Sequence, residues 1–226
     1  ESYTAKVPNA HIANSELTKQ LLTKYFGIAS SKIAVFPAAV DMSEINDFLA
    51  KNSKNCKKED KFLVVGRLVK HKRVDLAISA FKNVNAKLVV VGKGPELHNL
   101  KRLAERLGIN KKIEFKQDLS IDALYKEYCT SRGLILTSER EGLSLVAVEA
   151  LSLGVPVFIV RSTSLPNEVR MLCNEAEDSK LDVLLNDALK NYEKYGAKAA
   201  KVRETALRRF SNQNAERVYA SLYSKI

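Results

Sequence analysis

From Lys61 onward the chain alternates short, almost wholly apolar runs with amphipathic ones. "KFLVVGRL" is followed by "RVDLAISAFKNV", "AKLVVVGKG" by "PELHNLKRLAERLG", and "KIEFKQ" by "SIDALYKEYCTS". "GLILTS" then leads into "SLVAVEALSLG" and finally "VPVFIV". The apolar runs have strand length, and their partners repeat their apolar positions with the helical period. Pro95 and Gly108 bracket the second helix, and Ser120 opens the third, as expected for helix starts and stops. Strands apolar on both sides and separated by helices predict an α/β fold, with a Rossmann-like, doubly wound parallel sheet covered on both faces. Ligands of such sheets bind beyond the C-terminal ends of the strands, so the informative residues should follow each strand.

The opening residues read differently. After a short apolar stretch, Ser15 precedes Leu17, Leu21, Leu22 and Phe26 at helical spacing, and Gly27 follows as a stop, which predicts a capped helix. "KIAVFPAAVD" reads as extended, with Pro37 limiting its pairing. A polar stretch to about Asp60 then separates this opening from the main body.

Composition adds bounds. At 226 residues with 46% hydrophobic and 28% charged residues, the chain is long enough for a sizeable core and is not of disordered type. No run reaches the ~18 apolar residues of a membrane span, and no secretory signal is visible. Cys56, Cys129 and Cys173 are odd in number, distant in sequence and without metal-like spacing, which reads as reduced cysteines in a cytoplasmic protein. The chain opens with Glu1 rather than Met, as a processed or cut-down product would.

The net charge of +11 favours phosphates, nucleic acids or anionic surfaces as partners. The cluster "KNSKNCKKEDK" has no aromatic residue to stack a base, and no nucleic-acid motif is present, so no nucleic-acid partner is expected. It reads first as a solvated linker and second as a patch for peripheral contact with a membrane surface. "KYGAKAAKVRETALRR" reads as the outer face of a helix near the C-terminus.

Three strand ends carry candidate chemistry. "GRLVKHKR" puts Arg67, Lys70, Lys72 and Arg73 on one turn after Gly66. Four cations there suit a diphosphate, although ordinary surface charge gives the same pattern. "VGKGPE" begins like a dinucleotide fingerprint, but Leu97 occupies the third glycine position, so it reads as a structural turn. "TSEREGLSLVAVEALSLG" places the start of a helix near Ser144, with Glu149 alone in an apolar run. The first N–H groups of such a helix attract an anion. A carboxylate buried in such a run needs donors, which either a sugar diol or a protein Arg or Lys would supply. On the residues alone, the protein Arg or Lys is the expected partner.

Glu141 and Glu149 are separated by seven residues, inside "EGLSLVAVEALSLGVPVF". This resembles the retaining glycosyltransferases of glycosyltransferase family 4, which have the GT-B fold and a segment of the type "EGFGLVLLEAMACGTPVV". "GRLVKHKRVDLAISAF", "VVVGKGPELHNLKRLAERLGI", "ANSELTKQLLTKYFGI" and "RRFSNQNAERVYASLY" extend the resemblance from about residue 8 to the C-terminus. The resemblance implies that Gly66, Arg67 and Lys72 hold the diphosphate of a donor together with the amides around Ser144, Leu145 and Val146. It casts Glu149 on the ribose and Glu141 on hydroxyls of the transferred sugar, so that Glu141, Arg67 and Lys72 carry the catalysis.

The reaction implied is transfer of a hexose from a UDP-sugar or GDP-sugar to a saccharide or lipid-linked acceptor. It retains anomeric configuration, with no metal site and no cofactor. Residues 1–60 would be a connector helix and linker, and 61–226 the donor-binding domain. The N-terminal acceptor domain would come from elsewhere in the same chain or from another.

The chain departs from the family pattern at several points. Arg73 stands where a glycine is common, and Leu143–Ser144 replaces an aromatic–glycine or aromatic–proline pair. The stretch from Lys116 to Asp118 lacks a glycine near the base contact, and "RSTSLPNEV" lacks paired glycines. "NEAED" reads as a solvated turn, and His11, His71 and His98 as isolated, with His71 nearest to phosphate. The alternatives are a nucleotide-sugar epimerase or sugar phosphorylase of the same fold, or a non-catalytic module binding nucleotide-sugars or an anionic surface.

Overall fold

A computed structural model describes residues 11–36, 39–52 and 56–223; Pro37 lies outside them. The main body is a six-stranded parallel sheet. Its strands are β3 (Lys61–Val65), β4 (Lys87–Val91), β5 (Ile113–Lys116), β6 (Gly133–Leu136), β7 (Val157–Val160) and β8 (Asn174–Ala176), in the order β5-β4-β3-β6-β7-β8.

Successive residues of a strand point to opposite faces, and two apolar cores result. On one face Leu63, Val89, Leu134, Val157 and Ile159 meet helices α2 (Met42–Asn52), α5 (Ile121–Thr130), α6 (Leu145–Ser152) and α9 (Tyr192–Phe210). On the other, Phe62, Val64, Leu88, Val90, Ile135 and Phe158 meet α3 (Val74–Ala80), α4 (Leu97–Arg106) and α8 (Leu181–Lys190). The order reverses direction between β3 and β6, which makes their C-terminal ends the switch point of a doubly wound sheet.

A second, two-stranded parallel sheet pairs β1 (His11–Ala13) with β2 (Ile33–Val35) around α1 (Glu16–Phe26). Ser15 caps α1 by accepting from the Thr18 N–H at 3.1 Å, and Gly27 closes it at φ 65°. The Ser15 hydroxyl also donates to the Gly142 carbonyl at 2.9 Å. The small unit is thereby tied to the loop before α6. No helix among the described residues is long and apolar enough to cross a membrane.

Three readings of the sequence are corrected. The polar stretch before Asp60 is largely helical: α2 buries Ile45 and Phe48 against the sheet. "NEAED" is not a turn, because Asn174–Ala176 forms the edge strand β8, held by backbone pairing that is indifferent to side-chain polarity. The cysteines are not all reduced: Cys56 and Cys129, 73 residues apart, are joined in a disulfide with Cα atoms 5.3 Å apart. Cys173 alone is a free, buried thiol. That bond removes the ground on which a cytoplasmic location was inferred.

The basic cluster beside Cys56 is also more than a solvated linker, although residues 53–55 fall outside the description. Lys58 donates to the Ser131 carbonyl at 2.9 Å, and burial pushes its ammonium down to about 8, helped by nearby Arg132 and Lys61. Lys61 is buried against Glu127 at 3.0 Å. The second basic run does form the outer part of a helix, α9, which buries Tyr195, Ala199, Ala206 and Phe210.

Candidate functional site

The site grows from the turn after β3. Gly66 donates to the Val91 carbonyl at 3.0 Å and Leu68 to the Lys93 carbonyl at 2.7 Å, so the loops leaving β3 and β4 run together. Glycine makes that approach feasible on the β4 side. A Cβ on Gly92 would lie 1.9 Å from the Gly66 carbonyl oxygen, and one on Gly94 would lie 2.2 Å from that of Leu68. The Gly-x-Gly of "VGKGPE", read from the sequence as a structural turn, is the place where the two loops' backbones touch. At Gly66 a Cβ would meet nothing within 4 Å: the space beside it is open.

After Gly66 the chain makes a one-turn 3₁₀ helix over Lys70–Lys72 and enters α3 through Arg73, which holds φ 48°. This left-handed conformation costs a non-glycine residue ~1 kcal/mol and accounts for the glycine common at this place. The end of β6 staples the turn. The Thr137 hydroxyl lies 3.0 Å from the Lys72 carbonyl and 2.7 Å from that of Arg73, and the Glu139 N–H donates to the His71 carbonyl at 2.8 Å.

The four cations of the turn do not act together. Arg67 and Lys72 line a small cleft at the switch point with Gly66, Thr137 and Ser138. Lys70 and Arg73 face a separate groove with Glu96 and Arg106 of the α4 region, and Arg73 pairs with Asp178 at 3.6 Å. Lys72 reaches across the cleft to Glu141, with Nζ 2.6 Å from Oε1 and both groups mostly shielded. Arg67 is exposed and has no ion-pair or hydrogen-bond partner among the described residues.

Three residues beyond Glu141, Ser144 stands at the N-cap of α6 with φ 68° and no side-chain cap bond. Its Oγ is buried without a hydrogen-bond partner. A buried hydroxyl left unpaired is costly, and the first N–H groups of α6, at Leu145 and Val146, are free of intrahelical bonds by helix geometry. An orphan hydroxyl and open amides beside a Lys–Glu pair form a place where an anion with acceptor oxygens would be satisfied.

One and a half turns further, Glu149 is half-buried. Its partner is neither Arg nor Lys, but the Tyr128 hydroxyl, which donates to Oε2 at 3.0 Å. Burial pushes the Glu149 carboxyl above its usual range, and the Tyr128 hydrogen bond opposes that. No sequence spacing pointed to Tyr128. Near the expected base contact, Lys116 is engaged with Glu127 at 2.8 Å, while Asp118, at φ 53°, pairs with Lys93 at 2.5 Å.

A switch-point cleft lined by Arg67 and Lys72, with Lys72 paired to Glu141 three residues before the N-cap of α6, defines the class as a Rossmann-like domain with a candidate anion site. The chain belongs to the glycosyl transferases group 1 family, whose model matches residues 46–206. It is similar to the N-acetyl-alpha-D-glucosaminyl L-malate synthase of Bacillus anthracis, 28% identical over 176 residues, covering 73% of this chain and 45% of that protein. It is also similar to the GDP-mannose-dependent alpha-(1-6)-phosphatidylinositol monomannoside mannosyltransferase of Mycolicibacterium smegmatis, 32% identical over 46% of this chain and 31% of that one. Among solved structures, Anabaena HepE in complex with UDP and glucose matches with a TM-score of 0.82 at 18% identity, over 100% of this chain and 68% of its own. The fold is thus the Rossmann-like half of a GT-B glycosyltransferase, and the chain spans less than half the length of these curated relatives.

Proposed function

We propose that this chain is the donor-binding half of a retaining glycosyltransferase, which takes a hexose from a UDP-sugar or GDP-sugar and passes it to a saccharide or lipid-linked hydroxyl. The observation that carries the reading is the Lys72–Glu141 pair at 2.6 Å beside the α6 N-terminus, where the Ser144 hydroxyl is unpaired. A structurally similar protein, HepE, was solved in complex with UDP and glucose, which supports the substrate class.

In this reading the diphosphate lies between the Gly66–Lys72 turn and the amides of Leu145 and Val146. Arg67, free in the cleft, and Lys72, held by Glu141, neutralise it. Glu141 accepts from a hydroxyl of the transferred sugar, and Glu149 accepts from the ribose. As the bond from the anomeric carbon to the diphosphate oxygen breaks, its electron pair goes to the diphosphate. Arg67, Lys72 and the helix amides stabilise that growing charge without moving. The acceptor oxygen forms the new bond on the same face and gives its proton to the departing diphosphate oxygen. No metal is needed in this scheme, because the fixed cations and dipole take its place. The remaining half of the cleft, with the acceptor, comes from the same or another chain.

Lys72→Ala is expected to weaken UDP or GDP binding by roughly 10-fold to 100-fold, the worth of one charge-assisted contact to phosphate. Uridine and guanosine binding should change little, and titration calorimetry reads both. An equal loss for nucleoside and diphosphate, or no diphosphate binding by the unaltered chain, would overturn the assignment.

A further inference from the structure

The α5 side of the site holds a group that sequence spacing did not assign. Tyr128 is fully buried in the core beneath α6, with 0% of its surface exposed. Its ring packs among apolar residues, but its hydroxyl needs an acceptor, as any buried phenol does. Two are within reach: the Val146 carbonyl at 3.4 Å and Glu149 Oε2 at 3.0 Å. The hydroxyl has one proton, and the carboxylate is both nearer and charged, so Glu149 takes it. Burial and the neighbouring Glu149 push the Tyr128 phenol well above its usual range, so it stays a donor.

The ring is held firmly. Tyr125, one turn earlier on α5, packs edge-on against Phe48 of α2, with ring centroids 5.5 Å apart. Cys129, the next residue, is bonded to Cys56. A free glutamate on a helix samples several rotamers, and fixing one has an entropic cost. Tyr128 fixes it in advance. Oε2 is engaged by the phenol, while Oε1 has no hydrogen bond within the protein among the described residues.

We propose that Tyr128 is a positioning residue for ribose recognition: its hydroxyl ties one oxygen of Glu149 and presents the other to the vicinal hydroxyls of a nucleoside diphosphate. The inference rests on the nucleotide reading of the site, and it makes selection of ribonucleotide over deoxyribonucleotide depend on a group that does not touch the ligand.

The test compares UDP with 2′-deoxy-UDP, and GDP with 2′-deoxy-GDP, by titration calorimetry on the unaltered chain and on Tyr128→Phe. The variant loses one oxygen and keeps the ring, so the core packing is retained. The unaltered chain is expected to favour the ribonucleotide by about 10-fold, the discrimination one charge-assisted hydrogen bond supplies. In Tyr128→Phe that ratio should fall most of the way to unity while the deoxynucleotide affinity stays within about 2-fold. In a Glu149→Gln background the second substitution should leave the ratio where it is. A purely structural role would weaken both nucleotides equally, and that result overturns the inference, as does a ratio unchanged by Tyr128→Phe. Absence of discrimination in the unaltered chain would instead sink the ribose role of Glu149, and the Tyr128 inference with it.

Discussion

Gly92→Ala is expected to remove most of the stability of the fold. A methyl group there would sit 1.9 Å from the Gly66 carbonyl oxygen and 3.0 Å from its carbon, both backbone atoms of the turn that ends β3. Neither can swing aside as a flexible side chain would, and φ 153° already disfavours a side chain at this residue. The turn would have to leave its place on the sheet, breaking the Gly66–Val91 bond and shifting Arg67. A cost of about 4 kcal/mol or more follows, at the upper end for single substitutions and comparable with the whole stability of many domains. Gly66→Ala is the control, because its conformation is equally strained at φ 149° but a Cβ there meets nothing within 4 Å. It should cost only backbone strain, about 1–3 kcal/mol. Denaturant midpoints measure the difference, and equal losses in the two variants would show that the steric account of the Gly-x-Gly turn is wrong.

Reduction of the Cys56–Cys129 bond should cost nearly as much. The bond closes a loop between residues 73 apart, and the chain-entropy relation gives about 4 kcal/mol for a loop of that size. For a chain of this length the melting midpoint should fall on the order of 10 °C in reductant. Cys56→Ser should reproduce the fall without reductant. Cys129 lies beside Tyr128 on α5, so loosening there also frees the element that carries the Glu149 donor. Identical melting of oxidised and reduced protein would show that the loop contributes no such constraint.

The central sheet was legible because its strands are buried on both faces, which writes β3, β4, β6 and β7 into the sequence as continuous apolar runs. Where burial is one-sided or partial, the signal fades. Helix α2 buries only Ile45 and Phe48 and otherwise reads as a polar spacer. Strand β8, polar at Asn174 and Glu175, owes its place to backbone pairing with β7 at the sheet edge. The disulfide could not be read at all, since nothing local brings residue 56 to residue 129.

The candidate site followed the same logic. Arg67, Lys72 and Ser144 flank strand ends, where ligands of doubly wound sheets bind, and the family resemblance marked Glu141 and Glu149 as a pair. That Lys72 would reach Glu141, while Lys70 and Arg73 turned to a different groove, depended on the twist of one 3₁₀ turn. The departures at Arg73 and Ser144 were visible as letters, but their meaning came from φ 48° and φ 68°, conformations that glycine adopts without strain. Tyr128 was silent because a tyrosine on the apolar face of an amphipathic helix reads as core until its hydroxyl is located.

The most direct measurement of the central claim is a crystal structure of the chain grown with UDP or GDP. The diphosphate should bridge the Gly66–Lys72 turn and the first amides of α6, with Arg67 turned onto it and the ribose on the free oxygen of Glu149. Phosphate found instead in the groove of Lys70 and Arg106, or a ribose remote from Glu149, would contradict the account.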